Sequence, residues 1–150
     1  MRYGQTTLII ICINVIISLL IFTKSFETQK ILFDIFGFSC NMLEMYRLVT
    51  YAFLHFDLDH LINNMAFLLV YGVLLERRIG SLNILKLYFF SVIVGIFIYG
   101  IMSNSEKICI GASVAVCGVV GAYCCTKNKY FIKVYSNCIC YNRCVIISNR

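Results

Sequence analysis

Four long runs of apolar residues divide the chain, and short polar segments separate them. The runs cover about residues 7–22, 58–75, 82–102 and 108–125. They do not show the two-residue alternation of a half-buried strand or the one-sided stripe of a surface helix. A helix needs about 20 apolar residues to cross a bilayer, so each run is predicted to be a membrane span.

The composition agrees with this pattern. Hydrophobic residues make up 61% of the 150 residues and charged residues only 13%. A soluble domain typically has about 45–50% apolar and about 25% charged residues. Too little polar surface is available to cover a soluble core. We therefore predict an all-α fold, a polytopic transmembrane helix bundle of about four or five spans, with its membrane domain in residues 1–125.

The first run follows Arg2, and its basic start and apolar length are also compatible with a secretory signal peptide. The residues after it, from Thr23 to Phe26, contain no small-residue cleavage pattern. A retained first span is the favoured interpretation.

The basic residues indicate an orientation, because short cytoplasmic loops are enriched in Lys and Arg. A cytoplasmic N-terminus gives the larger basic count to the inner segments: Arg2, Arg77, Arg78, Lys86, Lys127 and Lys129. The outer segments then hold Lys24, Lys30, Arg47 and Lys107. The net charge of +6 is therefore interpreted as a topology signal, and no nucleic-acid partner is expected.

Two further segments differ from the spans. Residues 24–57 form a long connection that is rich in large apolar side chains, and we expect short helices lying in the outer membrane interface. Residues 126–150 form an atypical tail, predicted to be either a fifth span or an out-of-frame segment. The last 27 residues hold five of the nine cysteines, and polar residues interrupt the apolar stretch there.

The cysteines do not suggest a metal or redox site. No CxxC pair occurs. Five of the nine cysteines lie in or beside apolar runs, where cysteine behaves as a small hydrophobic residue: Cys12, Cys109, Cys117, Cys124 and Cys125. We expect no metal and no other cofactor.

Three polar residues lie where hydrocarbon makes them costly. His60 and Asn64 open the second run and share one helical face, and Ser113 opens the fourth run. Both runs cross in the same direction, so the three side chains are predicted to converge near the outer leaflet. Polar residues inside membranes often mark functional sites. The alternative is structural, since a membrane serine often bonds to its own backbone and His or Asn often lies at an interface.

Small residues recur along the fourth run at Gly111, Ala115, Gly118 and Ala122. This spacing is typical of a closely packed helix face. Packing is the favoured role for all of them except Gly111, which lets a substrate backbone approach Ser113.

Several motifs in order make the chain resemble the rhomboid family of intramembrane serine proteases. Tyr46-Arg47-Leu48-Val49-Thr50 is followed by His60-x3-Asn64, then by Gly72-x3-Glu76-x3-Gly80, and finally by Gly111-Ala112-Ser113. The similarity extends over about residues 46–123.

The resemblance implies a Ser–His dyad that hydrolyses peptide bonds of single-span membrane proteins in the lipid bilayer. Ser113 is then the nucleophile. His60, Asn64 and the Ser113 backbone N–H are the oxyanion-stabilising groups. Gly72, Glu76, Gly80 and Gly111 are structural motif residues.

The chain departs from the family pattern in three ways. The family's basic histidine lies on a sixth span, but only 37 residues follow Ser113 and no histidine occurs after His60. Val114 stands where the family prefers glycine, and we expect it to crowd the oxyanion pocket. Cys117 stands where an aromatic residue commonly backs the histidine. The hypothesis is a truncated or frameshifted gene.

The leading function is therefore an intramembrane serine endopeptidase that is incomplete as written. The alternative is a non-catalytic relative that binds client membrane helices. A small structural or channel subunit is disfavoured, because no polar stripe is expected to cross the full depth of a span. The richness in Ile, Asn, Lys, Tyr and Phe suggests an AT-rich genome, and hence the plasma membrane of a bacterium.

Overall fold

The computed structural model describes residues 4–39, 44–102, 108–127 and 145–147. Three of its helices are long and apolar enough to cross a membrane: Gln5–Phe22, Leu58–Ile79 and Ser81–Ile101. A shorter apolar helix covers Ser113–Thr126. The all-α prediction is confirmed, and helices are the expected form because a backbone in hydrocarbon must satisfy its polar groups internally.

The first helix, α1 (Gln5–Phe22), has an unusual start. Its N-cap is Gly4, which offers no side-chain hydrogen bond to the helix. The first N–H groups of any helix lack intrahelical partners. A carboxylate from another helix satisfies two of them here, as described below for Glu76.

The connection after α1 is largely helical. It contains α2 (Phe26–Phe36), α3 (Arg47–Thr50) and a 3₁₀ turn at Tyr51–Phe53. The buried Arg47 holds this segment together, because its guanidinium donates to the carbonyl of Gly37 at 2.9 Å and pairs with Glu44 at 2.6 Å. The connection is therefore a folded layer with apolar side chains on its outside, among them Phe26, Ile31 and Ile35.

The second span is continuous but not uniformly α-helical. It consists of α4 (Leu58–Phe67), a π turn at Leu68–Gly72 and α5 (Val73–Ile79). The Asp57 side chain accepts from the His60 backbone N–H at 2.7 Å and starts the helix. Gly80 ends it with a φ of 86°, a conformation that suits glycine.

The two helices that follow the second span, α6 (Ser81–Met102) and α7 (Ser113–Lys127), pack closely because glycines remove side chains from their contact. A Cβ at Gly95 would lie 1.8 Å from Val114 Cγ1, and one at Gly118 would lie 2.0 Å from Ser91 Oγ. The predicted close approach at Gly118 is thus present in the structure.

The fourth apolar run differs from the prediction at its start. Residues 108–110 form strand β1 (Ile108–Ile110), antiparallel to β2 (Val145–Ile147), and Cys109 also bridges to Phe38. Gly111, with a φ of 120°, then turns the chain into α7. The helix therefore begins at Ser113 rather than near 108. Most of the tail, 128–144 and 148–150, lies outside the described residues.

Candidate active site

His60 and Asn64 lie on the buried side of α4. His60 is 9% exposed and Asn64 is fully buried. The Asn64 amide donates to the His60 carbonyl at 3.1 Å, as the four-residue spacing allows. The backbone of His60 is thus fixed from both sides, by Asp57 at its N–H and by Asn64 at its carbonyl.

The His60 ring lies directly against Gly111. A Cβ built at Gly111 would come within 2.6 Å of Cε1 and 2.9 Å of Nε2. The Gly111 N–H donates to the Tyr51 carbonyl at 2.8 Å, which holds this turn against the 3₁₀ segment. The absence of a side chain at position 111 is therefore what lets the imidazole approach the start of α7.

Ser113 is the first residue of α7 and is 2% exposed. Its Oγ has no hydrogen-bond partner among the residues that the structure describes. The N–H groups at a helix start are not used within the helix, and they carry a partial positive charge that favours an anion. The serine hydroxyl is thus placed beside groups that can stabilise negative charge.

Other buried polar atoms near this end of the bundle also lack partners within the described ranges. They are both ring nitrogens of His60, Oδ1 of Asn64 and Nε2 of His55. Buried polar groups are hydrogen-bonded in the large majority of cases, so a cluster of exceptions needs an explanation. A substrate that hydrogen-bonds to these atoms on binding provides one.

His55 is the second imidazole at this end. Its Nδ1 lies 2.9 Å from Ser18 Oγ of α1, and its ring faces that of His60 with centroids 5.1 Å apart. The pKa of His55 is lowered to about 3, mainly because the ring is buried and to a smaller extent because His60 lies next to it. His55 is therefore neutral and weakly basic at physiological pH.

Val114 does not behave as expected from the sequence. Its side chain packs into the space left by Gly95 on α6, so the expectation that it crowds the oxyanion pocket is wrong. A helix start turns successive side chains by about 100°, which points Val114 away from Ser113. Cys117, one turn further on, is half-buried.

The remaining motif residues lie at the opposite end of the bundle. The buried Glu76 carboxylate accepts from the backbone N–H of Thr7 at 2.9 Å, from the Thr7 hydroxyl at 2.7 Å and from that of Ser81 at 2.7 Å. A Cβ at Gly72 would come within 2.6 Å of Thr7 Cγ2. Gly72 and Glu76 therefore dock the N-terminus of α1, whereas Gly80 only ends the helix, since a Cβ there would meet nothing within 4 Å.

Sequence reasoning missed the buried polar face of α1. Thr7, Asn14 and Ser18 are fully buried along it, and their partners include Glu76, Tyr88 and His55 respectively. The expectation that no polar stripe runs the depth of a span is wrong for α1. The helical spacing of the three residues was the available signal, but their partners depend on the tertiary fold.

Comparisons with known proteins identify the family of the chain. The Rhomboid domain family model matches residues 42–148, which is more than half of the chain. Rhomboid-like protease 3 of Toxoplasma gondii is 33% identical over 104 residues, 65% of this chain and 39% of that protein.

Two proteins of Arabidopsis thaliana are also similar. RHOMBOID-like protein 6, mitochondrial, is 33% identical over 53% of this chain and 25% of its own length. Inactive RHOMBOID-like protein 8 is 36% identical over 53% of this chain and 22% of its own length. The chain thus spans two fifths or less of these relatives, and their eukaryotic origin gives no support to the expected bacterial source. The extent of the family match, together with the helical membrane bundle, shows that this chain belongs to the rhomboid domain family.

Proposed function

We propose that this chain supplies the nucleophile and the oxyanion-stabilising groups of a rhomboid-type serine endopeptidase site, which acts on single-span membrane proteins. Ser113 is the nucleophile, and His60, Asn64 and the Ser113 backbone N–H stabilise the oxyanion. The observation that carries the proposal is the contact of the His60 ring with Gly111, two residues before Ser113.

In the proposed reaction, Ser113 Oγ bonds to the carbonyl carbon of the scissile peptide while its proton passes to a base. The carbonyl π electrons move to oxygen, and the hydrogen-bond donors of the site receive that charge. Each fixed donor contributes about 2.7–4 kcal/mol to transition-state stabilisation. The amine then leaves with the proton, and water hydrolyses the acyl-enzyme.

The base is the part of this chemistry that the two histidines do not supply. A serine hydroxyl is a weak nucleophile until a neighbouring base takes its proton. His60 is assigned to the oxyanion, and a His55 pKa of about 3 makes that ring a poor proton acceptor at neutral pH. The proposed reaction therefore requires a further base.

The low pKa of His55 favours a second candidate function, a non-catalytic rhomboid-like protein that binds client membrane helices. The similarity to a relative named Inactive RHOMBOID-like protein 8 agrees with it. In this alternative, the pocket at Ser113 receives a segment of the client without cleaving it.

Chemical rescue separates the two functions. The chain is reconstituted in liposomes with a model single-span substrate, and free imidazole is added as the missing base. We expect cleavage that rises with imidazole concentration, disappears in Ser113→Ala and persists in Ser25→Ala, which removes an exposed hydroxyl at the start of α2. Cleavage that Ser113→Ala retains contradicts the proposal. Stable co-purification of an uncleaved substrate at every imidazole concentration supports the second candidate.

We also propose that the N-terminus faces the cytoplasm, as the basic residues of the loops suggest. The site at Ser113 then opens toward the outer leaflet, where water is available for hydrolysis. An N-terminal epitope tag is expected to bind antibody only after permeabilisation of the cells. Binding to intact cells contradicts this orientation.

A further inference from the structure

The Ser18–His55 pair lies beside the proposed site but takes no part in it as described above. Both residues are fully buried. The Ser18 hydroxyl lies 2.9 Å from His55 Nδ1, and the two residues are 37 positions apart in the chain. Whichever atom carries the proton, this bond ties the His55 ring to α1.

The His55 ring in turn contacts the His60 ring. Their centroids are 5.1 Å apart and their planes are inclined by 63°, an edge-to-face arrangement. Such pairs of rings have a preferred geometry and a favourable interaction of their own. The orientation of one ring therefore constrains the orientation of the other.

The orientation of the His60 ring depends on packing in the described part of the chain. Neither ring nitrogen has a hydrogen-bond partner in the described part of the chain, although the His60 backbone is fixed by Asp57 and Asn64. The ring is left between Gly111 and the His55 ring. Packing against these two neighbours therefore constrains the rotation of the ring.

We infer that Ser18 and His55 are positioning residues, which fix the His60 imidazole against Gly111 through the contact series Ser18–His55–His60. The assignment of His60 to the oxyanion rests on the proposed function, but the geometric claim about its ring does not. α1, which contributes no residue to the reacting atoms, thereby controls the geometry of the site.

The two histidines make this inference directly measurable. The chain contains only His55 and His60, so ¹⁵N-histidine labelling of the full chain in lipid nanodiscs gives the signals of two rings. We expect Ser18→Ala to shift the ring signals of both residues, while Thr23→Ala shifts neither. Thr23 is a matched control, because its exposed hydroxyl donates to the Leu20 carbonyl at the end of α1 and does not contact either histidine among the described residues.

A purely structural role gives a different result. If Ser18→Ala shifts the His55 signals and leaves those of His60 unchanged, the inference is wrong. Ser18→Thr keeps the hydroxyl and is expected to leave both rings near their wild-type signals. Should Ser18→Ala fail to fold, His55→Gln provides the second variant, and an unchanged His60 signal in it overturns the inference equally.

A kinetic measurement connects the positioning role to the reaction. In the imidazole-rescued assay, Ser18→Ala is expected to lower kcat by up to about a hundredfold, since a small misplacement of catalytic groups has an effect of this size, and to leave KM unchanged. An unchanged kcat contradicts the inference. Should the wild type show no rescue, the proposed function fails while the ring signals still decide the positioning claim.

Discussion

The His60 imidazole at the start of the second span lies against the Gly111 backbone, directly before the start of α7. A Cβ at position 111 would overlap the ring, at 2.6 Å from Cε1. Gly111 also has a φ of 120°, which L side chains rarely adopt. Two independent properties thus require glycine at this position.

Gly111→Ala is expected to impair the site and the fold together. The strained φ alone has a cost of about 1–3 kcal/mol, and the methyl group displaces His60. Rescued cleavage and the His60 ring signals in ¹⁵N spectra should both change. Wild-type signals and wild-type cleavage in this variant would show that the contact is unimportant.

Glu76→Gln is expected to destabilise the bundle by about 1–3 kcal/mol, because buried N–H and hydroxyl donors lose a charged acceptor. The amide can accept on one oxygen only, whereas both carboxylate oxygens are used, one by Thr6 and Ser81 and the other by Thr7. Chemical unfolding in detergent measures the change. Glu27→Gln is the control, since Glu27 is exposed in the first turn of α2, and an equal loss there would contradict the specific role of Glu76.

Gly95→Ala is expected to lower stability by about 1–3 kcal/mol through overpacking between α6 and α7. The new Cβ would meet Val114 Cγ1 at 1.8 Å. Combining it with Val114→Ala removes that methyl group and should restore part of the stability. A double variant whose loss equals the sum of the two single losses would show that the two side chains do not interact.

His55 should make stability depend on pH. The unfolded imidazole titrates near its ordinary pKa of 6.5, whereas burial lowers the folded pKa to about 3. Between these values the unfolded chain binds more protons, so stability is complete above about pH 6.5 and falls as the pH decreases toward 3. Unfolding measured across this window should show a smaller slope in His55→Gln, and an unchanged slope would assign the effect to other groups.

Replacement of the proposed oxyanion-stabilising groups should reduce rescued cleavage without unfolding the chain. We expect His60→Ala and Asn64→Ala each to lower kcat by about 10²–10³, the usual effect of removing one such donor. The double variant should lose less than the product of the two effects if the groups act on the same oxygen. Wild-type rates in both single variants would remove these residues from the mechanism.

Hydropathy alone predicted the helical class, because long apolar runs in a bilayer leave little alternative to helices. Span order led to the prediction that His60, Asn64 and Ser113 converge, and the structure places the His60 ring against Gly111, two residues before Ser113. The strand at Ile108–Ile110 could not be predicted, since its apolar residues are equally compatible with a helix and its partners are distant in sequence. The direction of Val114 and the Ser18–His55 bond likewise depend on which helices become neighbours.

The π turn at Leu68–Gly72 affects how the second span orients His60 at one of its ends and Glu76 at the other. In a regular α-helix, positions four apart drift around the axis by about 40° per step. Five buried positions nevertheless recur at this interval along the second span: His60, Asn64, Leu68, Gly72 and Glu76. A wider turn has more residues per revolution and takes up part of the drift. Loss of one residue from it would rotate the N-terminal half of the span by about 100° relative to the C-terminal half. His60 would then move off Gly111 while Glu76 stayed on α1, so the length of this single turn sets the rotation of His60 relative to Glu76.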